Sequence, residues 1–276
     1  MTTTPLSTIR PGGALSLSDV VRAAMGAWRP MLIAAWAPLL GLAAVSLAIS
    51  PAFGLAPVWS LALAPVDLLV SVVAYGAMMR IALRDRHPGE NDYRPRPAGL
   101  QWSGIETRLL GAFLLIGLFV ALSALGAVFA TLLIAIIVAA ATGQLPRAAG
   151  SFLATPSGMA AAAVLAVILA FILWACVRLI LSTAATADRR RVQVFSTWRL
   201  TQGSVLTLAL ALLAIAAPAV ILGAAARTQA AGPVALVLWG AYALVIGFVQ
   251  TPLTAAVSAQ AYRRLSAPVD AADPYN

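Results

Sequence analysis

Charged residues along this 276-residue chain are gathered into short clusters, and the stretches between the clusters carry almost none. Apolar runs cover 31–50, 57–84, 109–142, 159–182, 203–226 and 233–262. At 1.5 Å rise per residue, about 20 residues of helix cross the roughly 30 Å hydrocarbon core of a bilayer. The pattern therefore predicts an all-α polytopic membrane bundle of six spans. The third run exceeds one crossing but holds neither Pro nor charge. It predicts a helix continuing past the bilayer, or an outer interfacial helix over 134–141, rather than a second turn. Gly126 and Ala130 in that run have the small-xxx-small spacing that permits close helix contact.

Ahead of the first, third and fifth runs, apolar and charged positions separate at helical spacing. In SLSDVVRAAMGAW, Val21, Ala24, Met25 and Trp28 recur on one side and Asp19 and Arg22 lie elsewhere, with Ser16 placed to cap the start after Pro11, Gly12 and Gly13. LQWSGIETRLL sets Trp102, Ile105 and Leu109 opposite Glu106 and Arg108, and RRRVQVFSTWRL sets Val194, Phe195 and Trp198 beside Arg191 and Arg199. These segments read as three amphipathic helices in the cytoplasmic headgroup layer, or else as the ends of long tilted helices. Each precedes a pair of spans. Units 16–86, 100–188 and 189–264 thus suggest a threefold parallel helix-plus-hairpin repeat in one membrane domain, with flexible tails at 1–13 and 266–276.

Composition agrees with a membrane protein: 62% of residues are apolar and 10% charged, against about 25% charged in soluble domains. The net charge of +9 comes with no Lys, and the arginines sit beside spans. That placement argues for a membrane surface and against nucleic acid. Arg10, Arg22 and Arg29 precede the first span, and Arg80, Arg84, Arg86, Arg94, Arg96 and Arg108 lie between or at the ends of spans two and three. Arg178, Arg189, Arg190, Arg191 and Arg199 flank the next such connection, and Arg263 and Arg264 end the last span; the other side keeps Arg147 and Arg227. By the positive-inside rule both termini are expected in the cytoplasm. The Ala-rich, Lys-free composition suggests a GC-rich bacterial genome, hence an inner (plasma) membrane, and the first thirty residues do not read as a secretory signal.

Candidate chemistry is sparse. Cys176 reads as a packing residue and His87 as a solvated residue of the connection DRHPGENDYRPRPAG, without partners at metal-ligand spacing. No nucleotide-binding loop and no His-containing triad is in the inventory, so no enzyme activity, metal or cofactor is expected. Asp67 in the second run is costly at mid-bilayer and so a functional candidate, with Ser71 and Tyr75 following on the same helical face. Alternatively, Asp67 caps a shorter helix at the outer interface. Arg178 is placed to snorkel toward lipid phosphate, and Gln250, beside Thr251 and Pro252, to hydrogen-bond between helices. Asp67, Ser71, Tyr75, Arg178 and Gln250 are the candidates for a substrate path or lipid site. Arg22, Arg29, Arg189, Arg190, Arg191, Arg199, Trp28, Trp102 and Trp198 are the candidates to face headgroups.

The stretch VRLILSTAATADRRRVQVFSTWRLTQGSVLTLALALLAI and the ending VQTPLTAAVSAQAYRRLS carry a further signal: Arg178 near the end of span four, then Ser196-Thr197-Trp198-x-Leu200-Thr201-x-Gly203, and Pro252 running to Tyr262-Arg263-x-Leu265. This resembles six-span bacterial membrane proteins that include the YciC-like proteins and the membrane region attached to some glycerophosphodiester phosphodiesterases. The motifs cover the second half, and the first half agrees in hydropathy. The resemblance implies the six-span fold without an assigned activity. Only SAPVDAADPYN follows the last span, so phosphodiester hydrolysis is not expected. The reading is a non-enzymatic scaffold or accessory subunit that binds membrane lipids and a membrane-protein partner; the alternative is a small transporter for a lipid or lipophilic compound.

Overall fold

The computed structural model describes residues 16–53, 57–94, 96–142, 155–229 and 232–272, and every regular element among them is helical. The predicted N-terminal tail, Arg10 and the loop bearing Arg147 lie outside the described residues. Helix α1 spans Leu17–Ala34 and α2 spans Trp36–Ile49, and the two meet at 90°. Pro38 explains the break. It has no N–H for the Ala34 carbonyl four residues back, and its ring crowds that oxygen. Ala35 leaves the helical region (φ −119°, ψ 18°). The predicted first span is therefore not one straight helix, and α2 alone reaches only about 21 Å.

Helix α3 spans Pro57–Leu83 and passes through Pro65. Tight turns at Arg84–Arg86, Asn91–Tyr93 and Pro97–Gly99 lead to α4, Gly104–Thr142, which is unbroken. The predicted second interfacial helix is simply the start of α4, and no separate helix occupies 134–141. Next come α5 (Pro156–Leu179), α6 (Ser182–Arg189) and the single turn α7 (Thr197–Leu200). The third predicted interfacial segment is thus mostly turn. Helices α8 (Val205–Arg227) and α9 (Pro233–Val245), a π-turn at Ile246–Gln250, and α10 (Thr251–Ala272) follow. The helix continues past Ser266, which is fully buried, so the predicted C-terminal tail begins too early.

Five helical stretches among the described residues are long and apolar enough to cross a membrane, and the bent α1–α2 pair makes a sixth if counted as one broken span. Their outward surfaces are apolar: Leu61, Leu118, Phe129, Val167, Leu206 and Val237 are each more than half exposed. In water such surfaces would be untenable. The protein is an all-α, multi-pass integral membrane protein.

The chain forms two compact units, Met1–Phe113 with Leu179–Asn276, and Leu114–Arg178. In the first, α1 packs on α10, α2 on α3 and the π-turn, α8 on α9, and α6 against α3 and α10. Its interior mixes runs of small residues with large side chains such as Met31, Leu39, Met78, Met79 and Tyr262. Ala255 to Tyr262 of α10 and Ser182 to Ala187 of α6 are buried on all sides, as expected of helices enclosed by others. At Gly247 a Cβ would meet the Leu39 carbonyl at 2.9 Å and Ala43 Cβ at 3.0 Å, so only glycine lets the π-turn lie on α2. The second unit comprises most of α4 and α5. Ala127, Ala139 and Ala161 are buried there, whereas Gly126 is exposed with open space beside it. Among the described residues, nothing makes the close contact at Gly126 that its spacing permits.

Candidate functional site

Polar chemistry concentrates at one end of the first unit, where ion pairs draw together segments far apart in sequence. Arg80, in the last turn of α3, is 1% exposed and Glu106, in the first turn of α4, is wholly buried. They form a bidentate pair, with Arg80 Nη1 on Glu106 Oε1 and Nη2 2.6 Å from Oε2. The guanidinium also donates to Ser103 Oγ (2.8 Å) and to the Asp92 carbonyl (2.7 Å). Glu106 Oε2 accepts the Ser103 N–H (2.8 Å), and Ser103 Oγ accepts the Ile105 N–H (3.2 Å). This is a capping box: the S-x-x-E of residues 103–106 satisfies orphan donors at the start of α4. One turn before Arg80, a Cβ at Gly76 would come within 2.8 Å of the Glu106 carboxyl carbon, so glycine leaves room for the carboxylate. The sequence reading had placed Glu106 on the outward side. The S-x-x-E signature was the signal for its true position.

Asp188 is the second hub. It sits near the C-terminus of α6, where the helix dipole disfavours a carboxylate, and three partners offset that. Arg86 Nη1 donates to Oδ2 (2.9 Å), Tyr262 Oη donates to the same oxygen (2.9 Å), and His87 Nε2 lies 3.0 Å from Oδ1. Arg86 also reaches Ser266 Oγ at 3.1 Å. His87 is therefore not a solvated loop histidine: its ring stacks on Tyr93 with centroids 4.2 Å apart. Tyr93 is buried and donates to the Ala187 carbonyl (2.6 Å). Burial, then the Asp188 and Asp92 carboxylates, push its phenol up to about 12, against the opposing pull of Arg108 and Arg80. Arg190, in the left-handed region (φ 51°), pairs with Glu90. Weaker pairs, Arg263 with Asp85 and Arg264 with Asp19, both 3.7 Å, bring α10 to the α3 end and to α1.

Trp28 was expected to face headgroups. Instead, its indole N–H donates to the Phe248 carbonyl at 2.9 Å. Pro252 is the residue whose N–H would have served that carbonyl in an α-helix, so Trp28 replaces the missing donor. Thr251 Oγ1 meanwhile donates to the Ile246 carbonyl (2.8 Å). Gln250 does not form the expected interhelical hydrogen bond: its Oε1 is buried without a partner among the described residues.

Asp67 lies inside α3, about 15 Å along it from Pro57, so it is not a helix cap. Asp67, Ser71 and Tyr75 are half-buried on one face, and Tyr75 packs edge-on against Phe113. No hydrogen bond among the described residues joins the three. Arg178 is at the end of α5 with its guanidinium 4.5 Å over the Trp174 ring.

Of the expected headgroup-facing residues, Arg22, Arg29, Arg191 and Arg199 are exposed, Arg189 and Trp198 are half-buried, and Trp102 is half exposed with its indole N–H on Thr107 Oγ1 (3.2 Å). The inward face of α1 is Val20, Ala24 and Met31; Val21 and Met25 point outward with Leu17. Helix α1 therefore has three faces: one in the protein, an exposed apolar stripe, and Arg22 with Arg29 beyond it. Arg84, Arg94 and Arg96, which the charge pattern places between spans two and three but not among the headgroup-facing candidates, are exposed as well. The arginines thus divide into a set paired with carboxylates, of which Arg80 is fully buried, that fastens the helix ends, and an exposed set suited to anionic groups.

No family model, curated protein or solved structure matches this chain.

Proposed function

We propose that this is a non-enzymatic scaffold or accessory subunit of the bacterial inner membrane, with both termini in the cytoplasm, engaging lipid headgroups and a membrane-protein partner through its arginine rim. The supporting observation is the division among the arginines. Arg80 and Arg86 are committed to internal carboxylates, while Arg22, Arg29, Arg191 and Arg199 remain exposed, with Arg22 and Arg29 beside the outward apolar stripe of α1. Apolar residues flanked by Arg suit the boundary between acyl chains and phosphates. Kinship with the YciC-like proteins belongs to the same proposal, carried by the motifs of residues 177–215 and 249–266. The test is isolation of the protein from its native membrane with bound proteins and lipids weighed together. Arg191→Glu with Arg199→Glu should lose the associated partner, and an unchanged complement refutes the reading.

A transporter for a lipid or lipophilic compound is the second reading, favoured by one observation: Asp67 is half-buried inside α3. On that reading Asp67→Asn abolishes flux, and unchanged flux in proteoliposomes removes it.

A further inference from the structure

We propose that the elbow between α1 and α2 seats one anionic phospholipid, with an acyl chain in the crevice beside the elbow and the phosphate on Arg96. This deepens, and rests on, the reading of the arginine rim as lipid-facing. The crevice is a shallow depression, open along most of its face, with a volume of about 560 Å³, and is lined by Ile33 and Ala34 of α1, Ile81 of α3 and the turn at Pro97 and Ala98. That size falls within the roughly 300–1,000 Å³ of small-ligand sites. The single charge on its lining is Arg96. The Arg96 side chain is exposed and makes no ion pair or hydrogen bond among the described residues, unlike those of Arg80 and Arg86; its carbonyl accepts the Gly99 N–H that closes the turn. The planar guanidinium of Arg96 matches phosphate oxygens two at a time.

The level of the crevice fits the same occupant. Ile81 lies two residues before the end of α3, and the turn at Pro97–Gly99 precedes the start of α4. Apolar wall and arginine therefore meet where spans give way to polar connections, which is the depth of lipid phosphates. Ile33 is 72% exposed on this wall, an arrangement that hydrocarbon tolerates and water does not. The wall is also closely packed against the elbow. Gly99 (φ +73°) abuts the elbow, where a Cβ would meet Ala35 Cα at 3.0 Å and Ala77 Cβ at 3.2 Å. Beside it Ala98 is held in the left-handed region (φ 62°), backbone strain of the kind found at ligand clamps. A partner helix, about 10 Å across with its side chains, is a poorer match to the crevice than one acyl chain.

The test uses the full chain in nanodiscs of mixed phosphatidylglycerol and phosphatidylethanolamine, stripped stepwise and weighed by native mass spectrometry. One phosphatidylglycerol should persist on the wild type. Its retention should fall at least fivefold in Arg96→Gln, and likewise in Ile33→Trp, which fills the crevice without touching charge. Both positions are exposed, so both variants should fold, with unchanged thermal melts as the check. Equal retention in all three proteins overturns the proposal, as does a photo-cross-linker at position 33 that captures protein rather than lipid. The Arg191→Glu, Arg199→Glu protein should keep this lipid, so loss of the partner reading and loss of the lipid seat are separately visible.

Discussion

Replacing Glu106 by leucine strands the Arg80 guanidinium, 1% exposed, without a counter-charge, leaving the neutral acceptors Ser103 Oγ, the Asp92 carbonyl and the Gln101 amide oxygen. Breaking a buried pair by removing one partner costs about 3–5 kcal/mol, because the other charge stays buried. Loss of the carboxylate also frees the Ser103 N–H that it accepts at 2.8 Å, a helix-cap loss of about 1 kcal/mol. The apparent melting temperature in detergent, followed by tryptophan fluorescence, should drop on the order of 10 °C. The double variant Arg80→Met, Glu106→Leu removes both charges and should recover most of the loss, since apolar replacement of a whole buried pair is often near neutral. Gly76→Ala should act in the same direction by about 1–3 kcal/mol, because its Cβ would collide with the carboxylate. If Glu106→Leu melts like the wild type, or if the double variant is no better than the worse single one, the pair is not the fastening described above.

The remaining expectations are more local. Trp28→Phe orphans the Phe248 carbonyl and should cost about 1–3 kcal/mol; Pro252→Ala in that background restores a donor, and absence of rescue in thermal melts refutes the substitution of indole for backbone. Tyr93 is neutral when folded and its phenol is raised to about 12 from 10, so the folded state holds its proton more tightly and this stability is lost as pH rises from about 10 toward 12. Tyr93→Phe should flatten that part of the melting-temperature profile while losing about 1 kcal/mol at neutral pH with the bond to Ala187, and an unchanged alkaline limb contradicts the assignment. Pro38→Ala supplies the N–H that Ala34 lacks; spin labels at positions 22 and 46 should move from about 26 Å to about 36 Å apart if the elbow straightens, and an unchanged distance shows that Pro38 is not the cause.

Hydropathy alone determined that this is a helical, multi-pass membrane protein, because satisfying the backbone in hydrocarbon leaves uninterrupted apolar helices as the available solution for such runs. Local signals also fixed more than the reading drew from them. Pro38 marks the elbow, S-x-x-E at 103–106 marks the start of α4, and Pro252 marks the π-turn, each through a backbone donor or acceptor that must be satisfied nearby. What sequence could not decide was which charges are internal. Glu106 and Arg108 are two residues apart on one helix, yet Glu106 is buried because Gly76 and Arg80 on α3 receive it. Asp188 sits in an exposed-looking run of arginines and binds instead to Arg86, His87 and Tyr262, about a hundred residues before it and seventy after. Trp28 has the composition of an interfacial anchor and serves a carbonyl 220 residues away. Helical periodicity tells which residues share a face, but the neighbour that face meets, and so whether a charge is paired or free, belongs to the tertiary structure.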